Sequence, residues 1–490
     1  MAYSFDPRNT LLRLKYKGGK FRKGEGEYPD VDEKRPLTLL NADLPTLFPY
    51  TGYGDTIPNP ERQRPRQEVQ VAILMRAIAS DKPWEEEWIN FWREHFSIFA
   101  YDQNVGAFVP HWEENVLRKF AWTNFREILE AQASHPAMLY YLNNRTSRAG
   151  SANENFAREL FELHTFGKSA YLNALYADWK NVPGASVGKP EGYIDQDVYE
   201  AARAFTGWTV EDGSNLGGKS SLPATGQFTY LESRHDNYQK RILATEFSPY
   251  AGAMSDGRKV LDLCANHPST ATHLSEKLVR HFISDNPPAE MVLSTTKVWI
   301  AHRSNPAQLQ LVFEHLVKQA TALSGEKKQK ALRAHRLAAK FIRITQIPFT
   351  LGEGQVIGVI EGAGLATYGW PSPDGPPNTM PWILSSSYMR QRFTLIMGLA
   401  ENWWGTGEWD PFVNTQSRRT YSEFMSSWEI SLFGKIRPEL SKAILAGFKI
   451  NPQDIISDVK RACKLVGMLA CAPSFQTEVI LPSEQKYKES

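Results

Sequence analysis

Cysteine is nearly missing from this chain. Three occur in 490 residues, Cys264, Cys463 and Cys471, and no two form a CxxC pair. Such a set supports neither a disulfide framework nor a cysteine-ligated zinc site. A charge surplus is missing too: 56 Lys and Arg stand against 54 Asp and Glu, a formal net charge of +2. That balance argues against a general nucleic-acid or anionic-membrane surface. No apolar run approaches the length needed to span a bilayer. The amino terminus, "MAYSFDPRNTLLRLKYKGGK", lacks the apolar stretch of a signal peptide. As written, the chain reads as soluble and cytoplasmic; an exported chain trimmed of its leader reads the same way.

Aromatic residues, by contrast, are plentiful. Trp occurs 14 times, and aromatic residues make up 12% of the chain. Large rings fill cores, and they also line sites for flat or sugar-like ligands. With 42% apolar and 22% charged residues, the composition is that of a folded protein with a large core.

Residues 1–60 are rich in Gly, Pro and charge and read as an irregular arm. From Arg64 helical periodicity takes over and continues to about residue 480, with a polar tail over 481–490. "RPRQEVQVAILMRAIAS" is the first helix. The second, "PWEEEWINFWREHFSIF", places Trp84, Trp88, Phe91, Trp92, His95 and Phe99 on one face. A single amphipathic helix is expected over "EENVLRKFAWTNFREILEAQAS", and a short strand at "GQFTYLE". The Pro/Gly-rich stretch from Gly369 to Trp382 separates two or three mid-chain helices from three later ones. The expected fold is mostly α: a large multi-helix domain with long irregular loops and at most a short β hairpin.

Two motif matches fail on context. "GSNLGGKS" (Gly213 to Ser220) fits the phosphate-loop pattern, but Pro223 and Gly226 follow where a helix must start. "GASVG" (Gly184 to Gly188) fits the nucleophile-elbow pattern, but Pro183 and Pro190 place Ser186 in a loop.

Residues 153–167, "NENFARELFELHTFG", crowd charge beside apolar groups. At 100° per residue, Phe156, Leu160 and Leu163 share a face bordered by Ala157 and His164. Glu154, Asn155, Arg158, Glu159, Glu162 and Thr165 share the other. "SANE" fits a capping box in which Glu154 reaches back to Ser151. Glu159 and Glu162, at i and i+3, need a cation between them, which Arg158, a metal or a substrate amine can supply. A solvated ion-pair face is the bland explanation of the same charges.

This stretch resembles the core motif of a bacterial family known as domain of unknown function 1800. The resemblance extends to "WINFWREHFSIFA", "YIDQDVYEAARAFTGW", "RHDNYQKRIL", "VLDLCANHPSTATHLSEKLVRHFISDNPP", "GWPSPDGPPNTMPWI" and "MLACAPSFQ", covering about Trp88 to Gln476. It implies export and a protein partner, but no particular reaction. The chain departs from the pattern by showing no leader and by lacking a glycine inside "HDNYQK".

The matching segments nominate His95, Asn155, Arg158, Glu159, Glu162, His235, Asp236 and Lys277. Three functional readings remain open. His95, Glu159, Glu162, His235 and Asp236 would form a divalent-metal site for hydrolysis or redox chemistry. HExxH is absent, and the signature stretch has Glu-x-His at Glu162 to His164 where dimetal bundles use Glu-x-x-His. Without metal, Asn155, Arg158, Glu159 and Glu162 would be the catalytic set, acting on a saccharide or another small molecule. Here the second acid has to be Asp236 or another carboxylate. In the third reading the cluster is structural and the chain is a binding or scaffold protein. Lys277, with His273 and His281 at i±4, reads as a solvated basic stripe.

Overall fold

The computed structural model describes residues 3–22, 26–54, 56–216, 221–323, 329–413 and 419–489. Helix Arg64–Ala79 runs through the centre. Pro65 sits in its first turn, where a missing N–H costs nothing, and Val69, Val71, Ala72, Ile73 and Leu74 are all buried. Arg64, Glu68 and Gln70 are buried with them, so the helix is enclosed on most sides despite its polar residues. Helix Ala334–Thr345 packs along it.

Helix Pro83–His95 carries the tryptophans inward. Trp88 and Trp92 are fully buried, and Trp88 Nε1 donates to the Ala121 carbonyl at 2.6 Å. Trp88 also meets Phe313 edge to face at 5.0 Å between ring centres. These rings are core, so they are not a ligand platform. The helix ends at His95, which leaves Phe99 outside it.

Where one helix was expected over residues 113–134, the chain makes two. A wide π-type turn spans Glu113–Arg118, and a regular helix then spans Phe125–Ala133. The break is set at Asn124, whose side chain accepts from the Arg126 N–H at 2.9 Å. Asn caps a new start more readily than it sits in a helix interior.

Helices Ser255–Asn266 and Pro268–Phe282 are divided by His267, whose ring accepts from the Ser269 N–H at 3.1 Å. Helices Ala289–Ala301 and Gln308–Ala322 follow. After the Pro/Gly loop come four longer helices rather than three: Ser386–Ala400, Tyr421–Phe433, Pro438–Gly447 and Val459–Ala470.

Strand structure is short and scattered in two-stranded antiparallel pairs. The arm expected to be irregular holds two of them, a short one of Gly19–Lys20 against Glu27–Tyr28 and a longer one of Leu11–Tyr16 against Val31–Pro36, with Leu12 and Leu14 turned into the core. The expected strand is Ala224–Tyr230, paired with Trp208–Asp212. The second half of the phosphate-loop match, 217–220, lies outside the described residues; a strand, not a helix, follows it. The tail forms a short helix, Glu484–Lys488, with Tyr487 against Trp84 at 5.2 Å. The fold is mostly α. Among the described residues, no helix is long and apolar enough to cross a membrane.

Candidate functional site

The signature stretch does not keep the helical period assumed for it. Residues Asn155–Glu159 are α-helical, and Leu160–His164 widen into a π-type turn. The Thr165 hydroxyl closes that turn on the Leu160 carbonyl at 2.6 Å. Widening rotates the later side chains, so Thr165, expected outside, is fully buried along with His164. Such turns inside helices recur at functional sites.

The capping box does not form. The Asn153 side chain accepts from the Asn155 N–H at 2.9 Å, and Glu154 pairs with Arg158 at 3.2 Å. Arg158 also reaches Asp195 at 3.2 Å, so it is not the cation between Glu159 and Glu162. Lys168 serves Glu162, at 3.2 Å. Asn155 Nδ2 donates to the Leu142 carbonyl at 3.3 Å. Of the four residues nominated as catalytic, Asn155, Arg158 and Glu162 therefore have structural partners. Glu159 makes no hydrogen bond or ion pair among the described residues. Burial, and then the Glu162 carboxylate, raise its pKa.

The supposed basic stripe faces inward. His273 Nε2 donates to the Leu163 carbonyl at 3.3 Å, and Lys277 Nζ lies 2.9 Å from His95 Nδ1. One turn on, His281 Nε2 meets the buried Glu87 at 2.7 Å, and Asn378 donates to His281 Nδ1 at 2.6 Å. Three successive turns of helix Pro268–Phe282 thus bind the signature turn and helix Pro83–His95. The amphipathic pattern marked the polar side correctly, but its partners come from elsewhere in the chain.

His95 has a defined tautomer. Its Nε2 lies 3.2 Å from the His164 carbonyl, which can only accept, so Nε2 carries the proton. Nδ1 is then a lone pair that accepts from Lys277. Burial, and then Lys277, His164 and His273, hold the His95 imidazole well below its usual range. It is neutral. Lys277 is partly buried, and burial lowers its pKa to about 8, although Glu94 and Asp374 pull the other way. His164 is lowered to about 3 by burial and by Lys277, and neither ring nitrogen has a partner among the described residues.

The Pro/Gly loop closes the cluster. Gly375 has φ +77°, and a Cβ there would lie 2.3 Å from the Glu94 carbonyl oxygen, so only glycine lets the loop approach the helix end this closely. Trp370 Nε1 donates to Asp374 at 2.8 Å, and the Tyr141 hydroxyl donates to the Pro371 carbonyl at 2.9 Å. Asp374 acts electrostatically on both Lys277 and Glu159, and Tyr141 feels Asp374 and Glu159. Glu94 is held by a double hydrogen bond from Arg333, both at 2.8 Å. Sequence reasoning missed Asp374, Tyr141 and Trp370, which carry no motif spacing of their own, and it placed His273 on a solvated stripe.

His235 and Asp236 lie in a different cluster. His235 Nδ1 lies 2.9 Å from the Thr206 carbonyl, and Nε2 lies 3.4 Å from Asp256. Asp236 receives a double hydrogen bond from Arg203 at 2.9 and 3.0 Å. Lys240 donates to Asp256 at 2.7 Å and to the Tyr238 carbonyl at 2.9 Å. The five nominated metal donors, His95, Glu159, Glu162, His235 and Asp236, are therefore not gathered in one place. Both His95 nitrogens and both His235 nitrogens already face protein groups. Among the described residues, no group of three or more His, Cys, Asp or Glu side chains is placed to hold a metal.

A family model described as "Protein of unknown function (DUF1800)" matches residues 20–477, nearly the whole chain. No curated protein and no solved structure matches it.

Proposed function

For this chain, which belongs to the DUF1800 family, we propose an enzymatic function centred on Lys277. In this reading the lysine, oriented by neutral His95, moves protons on a polar small molecule. The molecule is held between the signature turn and the Gly369–Trp382 loop. Glu159 and Asp374 supply the carboxyl groups, and no metal is required for the proton steps.

One observation carries this reading: Lys277 ends on an imidazole lone pair. A buried ammonium ordinarily needs a carboxylate or several carbonyls to offset lost hydration. The buried Lys240 and Lys330 and the partly buried Lys340 follow that rule. Lys240 has Asp256 and two carbonyls, Lys330 has Asp285, and Lys340 has the Phe475 and Thr477 carbonyls. Lys277 has no ion-paired carboxylate among the described residues. Its amine is therefore easily deprotonated, as a general base must be near neutral pH.

The test is competitive acetylation with trace N-acetoxysuccinimide between pH 6 and 11, read lysine by lysine through peptide mass spectrometry. The proposal expects Lys277 to be modified with a midpoint near 8. A Lys277 that is unreactive, or that titrates like the surface lysines, overturns it.

A binding or scaffold role is favoured by a different feature. Trp403, Val413, Ile430, Ile436 and Ile455, toward the carboxy-terminal helices, are roughly half exposed or more. Under that reading, Lys277→Met leaves every function of the folded protein intact.

A further inference from the structure

Resting on the reading of Lys277 as the working amine, we infer that the substrate is a neutral aldehyde or ketone bearing hydroxyl groups, captured by Lys277 as an imine. The position of the amine carries the argument first. His95 Nδ1 takes one Nζ–H at 2.9 Å and fixes the direction of the nitrogen, in a residue that is partly buried as a whole. Among the described residues no carboxylate ion-pairs with it to hold it as the ammonium. A lysine kept in this way, hydrogen-bonded to a neutral imidazole and ion-paired to no carboxylate among the described residues, is a nucleophile toward carbonyl carbon.

The charges around it select the substrate. Glu94 is neutralised by Arg333 and Glu162 by Lys168, whereas Glu159 and Asp374 form no ion pair among the described residues. An anionic substrate would meet two carboxyl groups that no ion pair holds among the described residues. A neutral hydroxyaldehyde would meet two hydrogen-bond acceptors, with the Trp370 ring and Tyr141 beside them. The Glu159 carboxyl, with its pKa raised by burial, is the group of this cluster best suited to lend a proton.

The step balances within the site. The Nζ lone pair forms the C–N bond as the carbonyl pair moves onto oxygen, and one N–H proton passes to that oxygen to give a carbinolamine. A carboxyl of the cluster then protonates the hydroxyl, and water leaves with the C–O pair. The nitrogen lone pair closes the C=N bond, leaving an iminium whose remaining N–H proton can return to the carboxylate. The sum is amine plus carbonyl giving imine plus water, and no oxidant or reductant is consumed.

The experiment incubates the full chain with glycolaldehyde or glyceraldehyde and sodium cyanoborohydride at pH 7.5, with anionic glyoxylate as the comparison. Peptide mapping then locates the reduced adduct. The expected result is capture at Lys277 about tenfold or more faster than at surface lysines, the direction set by its larger neutral fraction. The hydroxyaldehydes should also be preferred over glyoxylate. Adducts spread evenly over surface lysines overturn the inference. Acetylation of Lys277 with a midpoint near 8, without aldehyde capture, removes the imine and leaves the proton-transfer reading standing. Failure of both reactions removes both.

Discussion

Arg93 and Glu113 meet through two hydrogen bonds, Nε to Oε2 at 3.0 Å and Nη2 to Oε1 at 2.6 Å, with both side chains buried. Asn90 accepts a third bond from Arg93 at 2.7 Å, and the Tyr368 hydroxyl donates to Glu113. The pair joins the tryptophan-bearing helix to the Glu113–Arg118 turn and to the segment entering the Pro/Gly loop. Glu113→Gln leaves a buried guanidinium uncompensated, which costs about 3–5 kcal/mol. Urea denaturation of the variant checks this; a loss below about 1 kcal/mol would mean the pair is solvated like a surface bridge.

Acid should weaken the same region. Burial alone would raise the Glu87 and Glu113 carboxyls, but His281 at Glu87 and Arg93 at Glu113 pull both down to about 2. The folded pKa lies below the ordinary 4.5, so the folded state binds fewer protons and stability rises with pH in that window. These contributions are complete above pH 4.5 and disappear as pH falls toward 2. Urea midpoints measured from pH 6 to 2 should drop over that interval, and less steeply in Glu87→Gln.

Gly167 is where the signature stretch meets helix Pro268–Phe282. Its φ is +83°, and a Cβ there would lie 2.6 Å from the His273 Nδ1 atom. Gly167→Ala combines left-handed strain with a clash against a hydrogen-bonded ring, so a loss of about 1–3 kcal/mol is expected. Thermal denaturation reads the loss. Acetylation of Lys277, one turn from His273, should change in the same variant.

The His235 cluster should behave as framework only. Asp256→Asn weakens the anchor of Lys240 and His235 and lowers stability. In the folded variant, the acetylation midpoint of Lys277 should stay where it is in the parent chain. A shift would tie the two clusters together and return His235 to the site.

Much of the helical layout was legible because apolar spacing is a local property: Arg64–Ala79, Pro83–His95 and Pro268–Phe282 stand where their patterns place them. The break at Asn124 was missed because an amphipathic pattern continues across it. The site was harder to read. A fixed 100° period cannot anticipate the widened turn at Leu160–His164, which turns Thr165 inward and carries His164 into the core. Lys277 looked like part of a solvated stripe because its partner, His95, lies 182 residues away. Long-range pairing leaves no spacing signal. His235 and Asp236 stand out as motif residues, yet their side chains are paired with Thr206 and Arg203.

The most direct measurement is the titration of Lys277 itself, followed by the ¹³Cε and ¹⁵Nζ resonances of lysine-labelled protein and assigned with Lys277→Arg. The account predicts a midpoint near 8 in the intact chain. A midpoint at or above the ordinary 10.5 would show a fully solvated or ion-paired ammonium and would contradict the proposed site.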